Sequence, residues 1–199
     1  AEHPYYGSYG YQVSNFFAPS SRFGTPDDLK HLIRTAHANG IAVVMDLVHA
    51  HYVANTTEGL NMIDGDENLY SPKESENIHP YWKTKLFDYS DINVQRFLLS
   101  NIRYWMEEYH IDGFRFDGVT SMIYKHHGYV DDFGTYDNYF GKCVNEDAIT
   151  YLTLANDLIH SLRPDAVTIA EEVSGMPGMA RPIADGGVGQ MSAIREVVE

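Results

Sequence analysis

The spacing of apolar residues along the chain predicts three amphipathic helices separated by short apolar strands. The first helix is predicted to begin with Thr25 as its N-cap and Pro26 in the first helical position, and to end at Asn39-Gly40. The second is predicted to run from its N-cap Asp91 to about Tyr109. Their apolar faces are predicted to be Leu29, Leu32, Ile33 and Ala36 in the first, and Val94, Phe97, Leu98, Ile102, Trp105, Met106 and Tyr109 in the second.

The third helix is predicted from about Asn145 to Arg163-Pro164, with Ala148, Leu152, Ala155, Ile159 and Leu162 on its apolar face. The predicted strands cover residues 41–48, 111–117 and 166–170. The first of them is almost continuously apolar, which is typical of a parallel strand covered on both faces. Residues 49–91 and 118–144 show no sustained periodicity and are predicted to be long loops. Loops of this length are usually functional.

This alternation of helices and parallel strands predicts an α/β fold. We expect a partial (β/α)8 barrel of about three consecutive βα units, without a closed barrel in this chain. A doubly wound sheet would also fit the alternation. However, no G-x-G-x-x-G motif follows the first strand, as it usually would in that fold.

Each predicted strand carries an acidic residue at or near its carboxyl end, where barrel enzymes place their active sites. These residues are Asp46, Asp117 and Glu171. Because side chains alternate along a strand, Arg115 and Asp117 share one face, and we expect the guanidinium to keep Asp117 ionised. A structural ion pair is the competing interpretation for Asp117, and a buried structural carboxylate is the competing one for Asp46. Strand parity does not distinguish Glu171 from Glu172.

Two carboxyl groups that face each other, one ionised and one protonated, are the apparatus of retaining glycoside chemistry. Asp117 would attack the anomeric carbon. Glu171 would protonate the leaving oxygen and then act as a base towards the acceptor.

Composition narrows the possible partners. The 199-residue chain has a net charge of −14, which argues against nucleic acid and anionic membranes. No apolar run approaches the ~20 residues of a membrane span. The single cysteine, Cys143, excludes an internal disulfide and favours a reducing, cytoplasmic compartment.

His49 and His51 lack a plausible third ligand, and residues 64–75 lack the glycine and glutamate of a calcium loop, so no metal is expected.

Three segments, in order, resemble the first three conserved regions of the alpha-amylase superfamily: residues 46–51, 113–117 and 169–172. Within this superfamily, the sequence most resembles the branching enzymes of glycogen and starch. The resemblance extends over most of the chain, to about residue 189. Accordingly, residues 1–189 are expected to be the central part of a catalytic barrel, and residues 190–199 a divergent tail.

The resemblance implies that Asp117 is the nucleophile and Glu171 the acid/base, with Asp46, His51, Arg115 and Tyr11 contacting the sugar. It implies cleavage of an α-1,4-glucan and transfer of the cut segment to a 6-hydroxyl, with α-glucan as both donor and acceptor. No metal or organic cofactor is expected.

Three departures from the family pattern affect this interpretation. Ala50 stands where relatives carry a polar residue, and residues from Gln190 onward do not resemble a further barrel strand. No His-Asp pair follows Glu171, so the family's third carboxylate is not found. The chain is therefore expected to be a fragment that is inactive alone. The alternatives are an α-glucan hydrolase of the same superfamily and a catalytically dead glucan-binding piece.

Overall fold

The computed structural model describes residues 1–73, 77–129, 133–190 and 192–194. In chain order, the helices are α1 (Pro26–Ala38), α2 (Ile92–Tyr109), α3 (Val119–Ile123), α4 (Tyr136–Phe140) and α5 (Glu146–Leu162). The strands are β1 (Val44–Leu47), β2 (His51–Tyr52), β3 (Lys85–Leu86), β4 (Gly113–Phe116), β5 (Val167–Glu171) and β6 (Ser192–Ile194).

The chain forms two compact units. The N-terminal unit comprises Ala1–Val43 and Val48–Ile111, and the C-terminal unit comprises Val44–Leu47 and Asp112–Glu199. The C-terminal unit therefore contains β1 together with every element that follows α2.

The predicted helix ends of the N-terminal unit are confirmed. Thr25 and Asp28 form a reciprocal capping box at the start of α1, and the Asp91 carboxylate accepts from the Asn93 amide at the start of α2. On α1 the predicted apolar face is only partly buried: Ile33 is covered, whereas Leu32 is 62% exposed.

The N-terminal segment is fixed to α2 by polar groups that the apolar pattern did not reveal. Asn101 Nδ2 and Trp105 Nε1 both donate to the carbonyl oxygen of Phe16, at 2.6 and 3.0 Å. Residues 49–91 were predicted to be irregular throughout, which is wrong, because β2 and β3 pair antiparallel within them. Strands of two residues are too short to show a period.

The C-terminal unit is built on a four-stranded sheet in the order β1-β4-β5-β6, and each neighbouring pair is parallel. Phe114 and Phe116, which share one face of β4, are fully buried. The segment 118–144, also predicted to be a loop, contains α3 and α4. Among the described residues the sheet does not close, so the fold is part of a (β/α)8 barrel, as predicted from the sequence.

The first and last strands of the sheet differ from the prediction. β1 is shorter than 41–48, and Val44 is 41% exposed, so this strand is not covered on both faces. Within the described residues β1 pairs only with β4, and an edge strand buries less of its surface. Ser192–Ile194, in the expected divergent tail, pairs parallel with β5 and adds a strand where none was predicted. The other tail residues, 191 and 195–199, lie outside the described residues.

Candidate active site

Strand β4 brings a cation and a carboxylate to the same face of the sheet. Arg115 and Asp117 are two residues apart, and Arg115 Nη1 lies 3.4 Å from Asp117 Oδ1. The Asp117 amide donates to the carbonyl oxygen of Leu47 at 3.1 Å, which continues the β1–β4 pairing past the end of the strand. The backbone that carries Asp117 is therefore held by the neighbouring strand.

Arg115 is in contact with three carboxylates from three parallel strands. Besides Asp117, its Nη1 lies 3.3 Å from Asp46 Oδ2 and its Nη2 lies 3.4 Å from Glu171 Oε2. The fork of the guanidinium presents several donors in one plane, which suits a site where carboxylates converge. These four side chains are the Arg115 cluster, and all four were predicted site residues.

Asp46 occupies the open side of the Arg115 cluster. Its side chain is 45% exposed, so it is not the buried structural carboxylate that the sequence left as an alternative. Its position follows from the register of β1 and β4, which places Asp46 directly beside Arg115.

Glu171 is held by a backbone donor as well as by Arg115. The Gly118 amide donates to Glu171 Oε2 at 2.8 Å. Gly118 has a φ of 64°, in the left-handed region that glycine adopts without steric cost. Backbone donors of this kind are invisible in a residue pattern, so sequence reasoning missed this contact.

The pKa of Asp117 is raised to about 7, first by burial and then by the charge of Glu171 and a hydrogen bond with it, while Arg115 opposes the rise. The prediction that Arg115 keeps Asp117 ionised is therefore wrong for this structure. Two close, half-enclosed carboxyls disfavour a second negative charge, and one guanidinium does not outweigh that cost. The Asp117–Glu171 pair retains a proton up to about neutral pH.

The structure distinguishes Glu171 from Glu172. Glu172 is 2% exposed and accepts hydrogen bonds from the Gly175 and Met176 amides at 2.8 and 2.9 Å, so it is turned away from Arg115. The alternation of side chains along β5 explains why the two neighbours face opposite ways.

Two predicted site residues belong to the N-terminal unit. Tyr11 is half-buried, and its amide donates to the carbonyl oxygen of Ser8 at 2.9 Å. His51 is buried beside Trp82, with 4.9 Å between ring centroids. Burial, and then the nearby His79, lower the pKa of His51 to about 3, so its ring is neutral. Their roles in sugar binding stay predictions.

Neither a metal centre nor a membrane segment is found in the described parts of the chain. No group of three or more His, Cys, Asp or Glu side chains is placed to hold a metal ion there. No described helix combines the length and hydropathy that crossing a bilayer would take.

Part of the chain is similar to the alpha-amylase catalytic domain. The model of that domain matches residues 4–71. An alpha-amylase from Geobacillus thermoleovorans, solved with acarbose, superposes with a TM-score of 0.66 at 20% identity, over 97% of this chain and 39% of that one. An Anoxybacillus alpha-amylase gives 0.67 at 20% identity, over 98% and 38%. These two structures establish the fold.

The sequence is also similar to 1,4-alpha-glucan-branching enzymes. The one from Equus caballus is 57% identical over 189 residues, which is 94% of this chain and 27% of the relative. Those from Emericella nidulans and Solanum tuberosum are 55% and 53% identical, again over 94% of this chain and over 28% and 22% of their own lengths. The chain thus spans about a quarter of the length of the curated relatives it matches.

Proposed function

We propose that this chain carries the acid pair of a 1,4-alpha-glucan-branching enzyme, which cleaves an α-1,4-glucan and transfers the cut segment to a 6-hydroxyl. The observation that carries the proposal is the convergence of Asp117 and Glu171 on Arg115, at 3.4 Å each, from adjacent parallel strands. The similarity to branching enzymes supports a second glucan chain, rather than water, as the acceptor.

The proposed mechanism is a retaining double displacement. The Asp117 carboxylate attacks the anomeric carbon while Glu171 donates a proton to the leaving oxygen, and a glycosyl ester on Asp117 results. Glu171 then removes the proton from the incoming 6-hydroxyl as the ester is displaced. The pair needs one proton for the first step. The raised pKa of Asp117 supports the view that the pair keeps this proton near neutral pH. The hydrogen bond between the two carboxyls gives the proton a path to Glu171.

The proposed partners of the protein are α-glucans, as donor and as acceptor, and its proposed location is the cytoplasm. We also infer that residues 1–199 alone have negligible branching activity. Apolar side chains on β1 and α1, such as Val44 and Leu32, are exposed in this chain. Exposed apolar surface of this kind is normally covered in a complete barrel.

The test is a chimaera in which residues 1–189 replace the matching segment of the Equus caballus relative, which supplies the remaining parts of the protein. We expect the chimaera to lower the iodine staining of amylose while releasing little reducing sugar. Asp117→Asn and Glu171→Gln should each lower the branching rate by at least about 10³-fold, because each removes a group that acts in the transition state.

The matched control is Asp157→Asn, which makes the same chemical change at an exposed position on α5. It should leave the branching rate unchanged. Reducing sugar released in proportion to the loss of iodine staining would identify a hydrolase instead. A folded chimaera that binds amylose without any change in either readout would favour a glucan-binding role and overturn the enzymatic proposal.

A further inference from the structure

Among the described residues, the hydrogen bonds to the buried Glu172 carboxylate come from two segments, the loop after β5 and helix α3. On its own side, the Ser174 amide donates to Oε1 at 2.9 Å, and the Gly175 and Met176 amides donate to Oε2 at 2.8 and 2.9 Å. The Ser174 hydroxyl is also bonded to Oε1. These contacts fold the segment after β5 around one side chain.

The fifth donor comes from the segment that follows β4. Thr120 Oγ1 donates to Glu172 Oε1 at 2.8 Å and accepts from the Val173 amide, also at 2.8 Å. Thr120 and Glu172 are 5% and 2% exposed, so water does not compete strongly for these bonds. A single hydroxyl therefore joins the two segments that carry the acid pair.

The position of this link in the chain gives it a consequence for the acid pair. Thr120 lies three residues after Asp117, and Glu172 directly follows Glu171. The Gly118 amide and the Thr120 hydroxyl thus make two consecutive cross-links, to Glu171 and to Glu172. Because the segments after β4 and β5 are joined at two points, the distance between them is fixed more tightly than one bond would fix it.

We propose that Thr120 and Glu172 are positioning residues, a proposal that rests on the proposed function. Together they form a clamp that sets the distance between the nucleophile and the acid/base. Neither residue touches the substrate in this proposal. The clamp acts by holding the start of α3 against the loop after β5, so that the Gly118 amide stays bonded to Glu171.

The test compares Thr120→Val, which removes the hydroxyl, with Thr120→Ser, which retains it, both in the chimaera. Thr120→Val should lower kcat by about ten-fold or more and leave KM nearly unchanged, because a small misplacement of reacting groups is costly. The alkaline limb of its kcat–pH profile should move to lower pH as the two carboxyls separate. Thr120→Ser should restore both values. Thr153→Val, a hydroxyl loss on α5 outside the clamp, should change neither.

Crystal structures of both Thr120 variants provide a readout that does not depend on branching. In Thr120→Val the distance from the Gly118 nitrogen to Glu171 Oε2 should lengthen from 2.8 Å to beyond hydrogen-bonding range. An unchanged distance would overturn the clamp, as would a lower melting temperature without a shift of the pH profile, or equal losses in the Val and Ser variants. If the parent chimaera forms no branches, the proposed function fails, while these crystal structures still decide the clamp.

Discussion

The Gly118 amide and the Glu171 carboxylate are joined by a 2.8 Å hydrogen bond across 53 residues of sequence. The bond connects the residue after Asp117 to the other member of the acid pair. Together with Arg115, which reaches Asp117 and Glu171 from its two terminal nitrogens, it leaves the pair little freedom to separate. The acid pair is therefore held by backbone and side chain at once, and its properties should respond to changes in either.

Replacing Arg115 should alter the ionisation of the acid pair. Arg115 lowers the pKa of Asp117, so Arg115→Lys, which loses the planar fork, should raise that pKa and move the alkaline limb of the kcat/KM profile upward. Activity at pH 7 should fall by about 10²-fold, because an ammonium cannot contact Asp117 and Glu171 from two separate nitrogens as the guanidinium does. Rates in the chimaera across pH 5–9 provide the measurement. Arg103→Lys, at an exposed arginine paired with Glu107, is the control and should leave the profile in place.

Asp117 should make the folded protein less stable as the pH rises. Its pKa is about 7 in the fold against 3.8 as a free side chain, so the folded state binds more protons between these values. The contribution of Asp117 to the free energy of unfolding should therefore decrease from about pH 4 to pH 7, by at most about 4 kcal/mol, and level off above. Asp117→Asn should raise the melting temperature of the chimaera at pH 8 more than at pH 5. An equal effect at both pH values would contradict the assignment, and Asp157→Asn is again the matched control.

Two buried histidines should act in the opposite direction in acid. Burial lowers the pKa of His49 to about 4, although a hydrogen bond with Asn101 at 2.9 Å opposes the shift, and burial lowers that of His51 to about 3. Below the ordinary value of 6.5 the unfolded chain binds protons that the fold excludes, so stability is lost as the pH falls, by at most about 3 kcal/mol for His49. Proton NMR should find both rings still neutral at pH 5. A His49 resonance that titrates above pH 6 would refute this prediction.

Gly113 should tolerate no side chain. A Cβ added at this position in β4 would lie 2.1 Å from the carbonyl oxygen of Val167 on β5, far inside contact distance and against backbone. Gly113→Ala should therefore force the two strands apart and destabilise the protein by about 2–3 kcal/mol. The melting temperature of the chimaera measures the loss. Since β4 and β5 carry the acid pair, branching should fall more than stability alone would explain, and unaltered activity would contradict this.

The helices could be predicted from the sequence because their ends carry side-chain signals. Thr25 and Asn145 both cap helices as expected, the latter accepting from the Ala148 amide. Strands β1, β4 and β5 overlap the predicted ranges because apolar residues dominate those segments, whereas β6 was not predicted. What the sequence did not reveal are contacts that depend on tertiary position: the Gly118 amide, the hydroxyl of Thr120 and the ionisation of Asp117. A residue pattern records side-chain types, whereas these properties depend on which groups the fold brings together.

The parallel register of the sheet has a consequence for how the chain folds. Val44 pairs with Gly113, 69 residues later, and Gly113 pairs with Val167, 54 residues further on. Each of these pairings closes a long loop, and the chain loses conformational entropy before the new contacts offset that loss. Topologies of this kind are therefore slow to fold. During synthesis, Asp117 emerges long before Glu171, so a nascent chain carries the proposed nucleophile without its proposed proton donor. The acid pair is complete only when β5 has docked on β4.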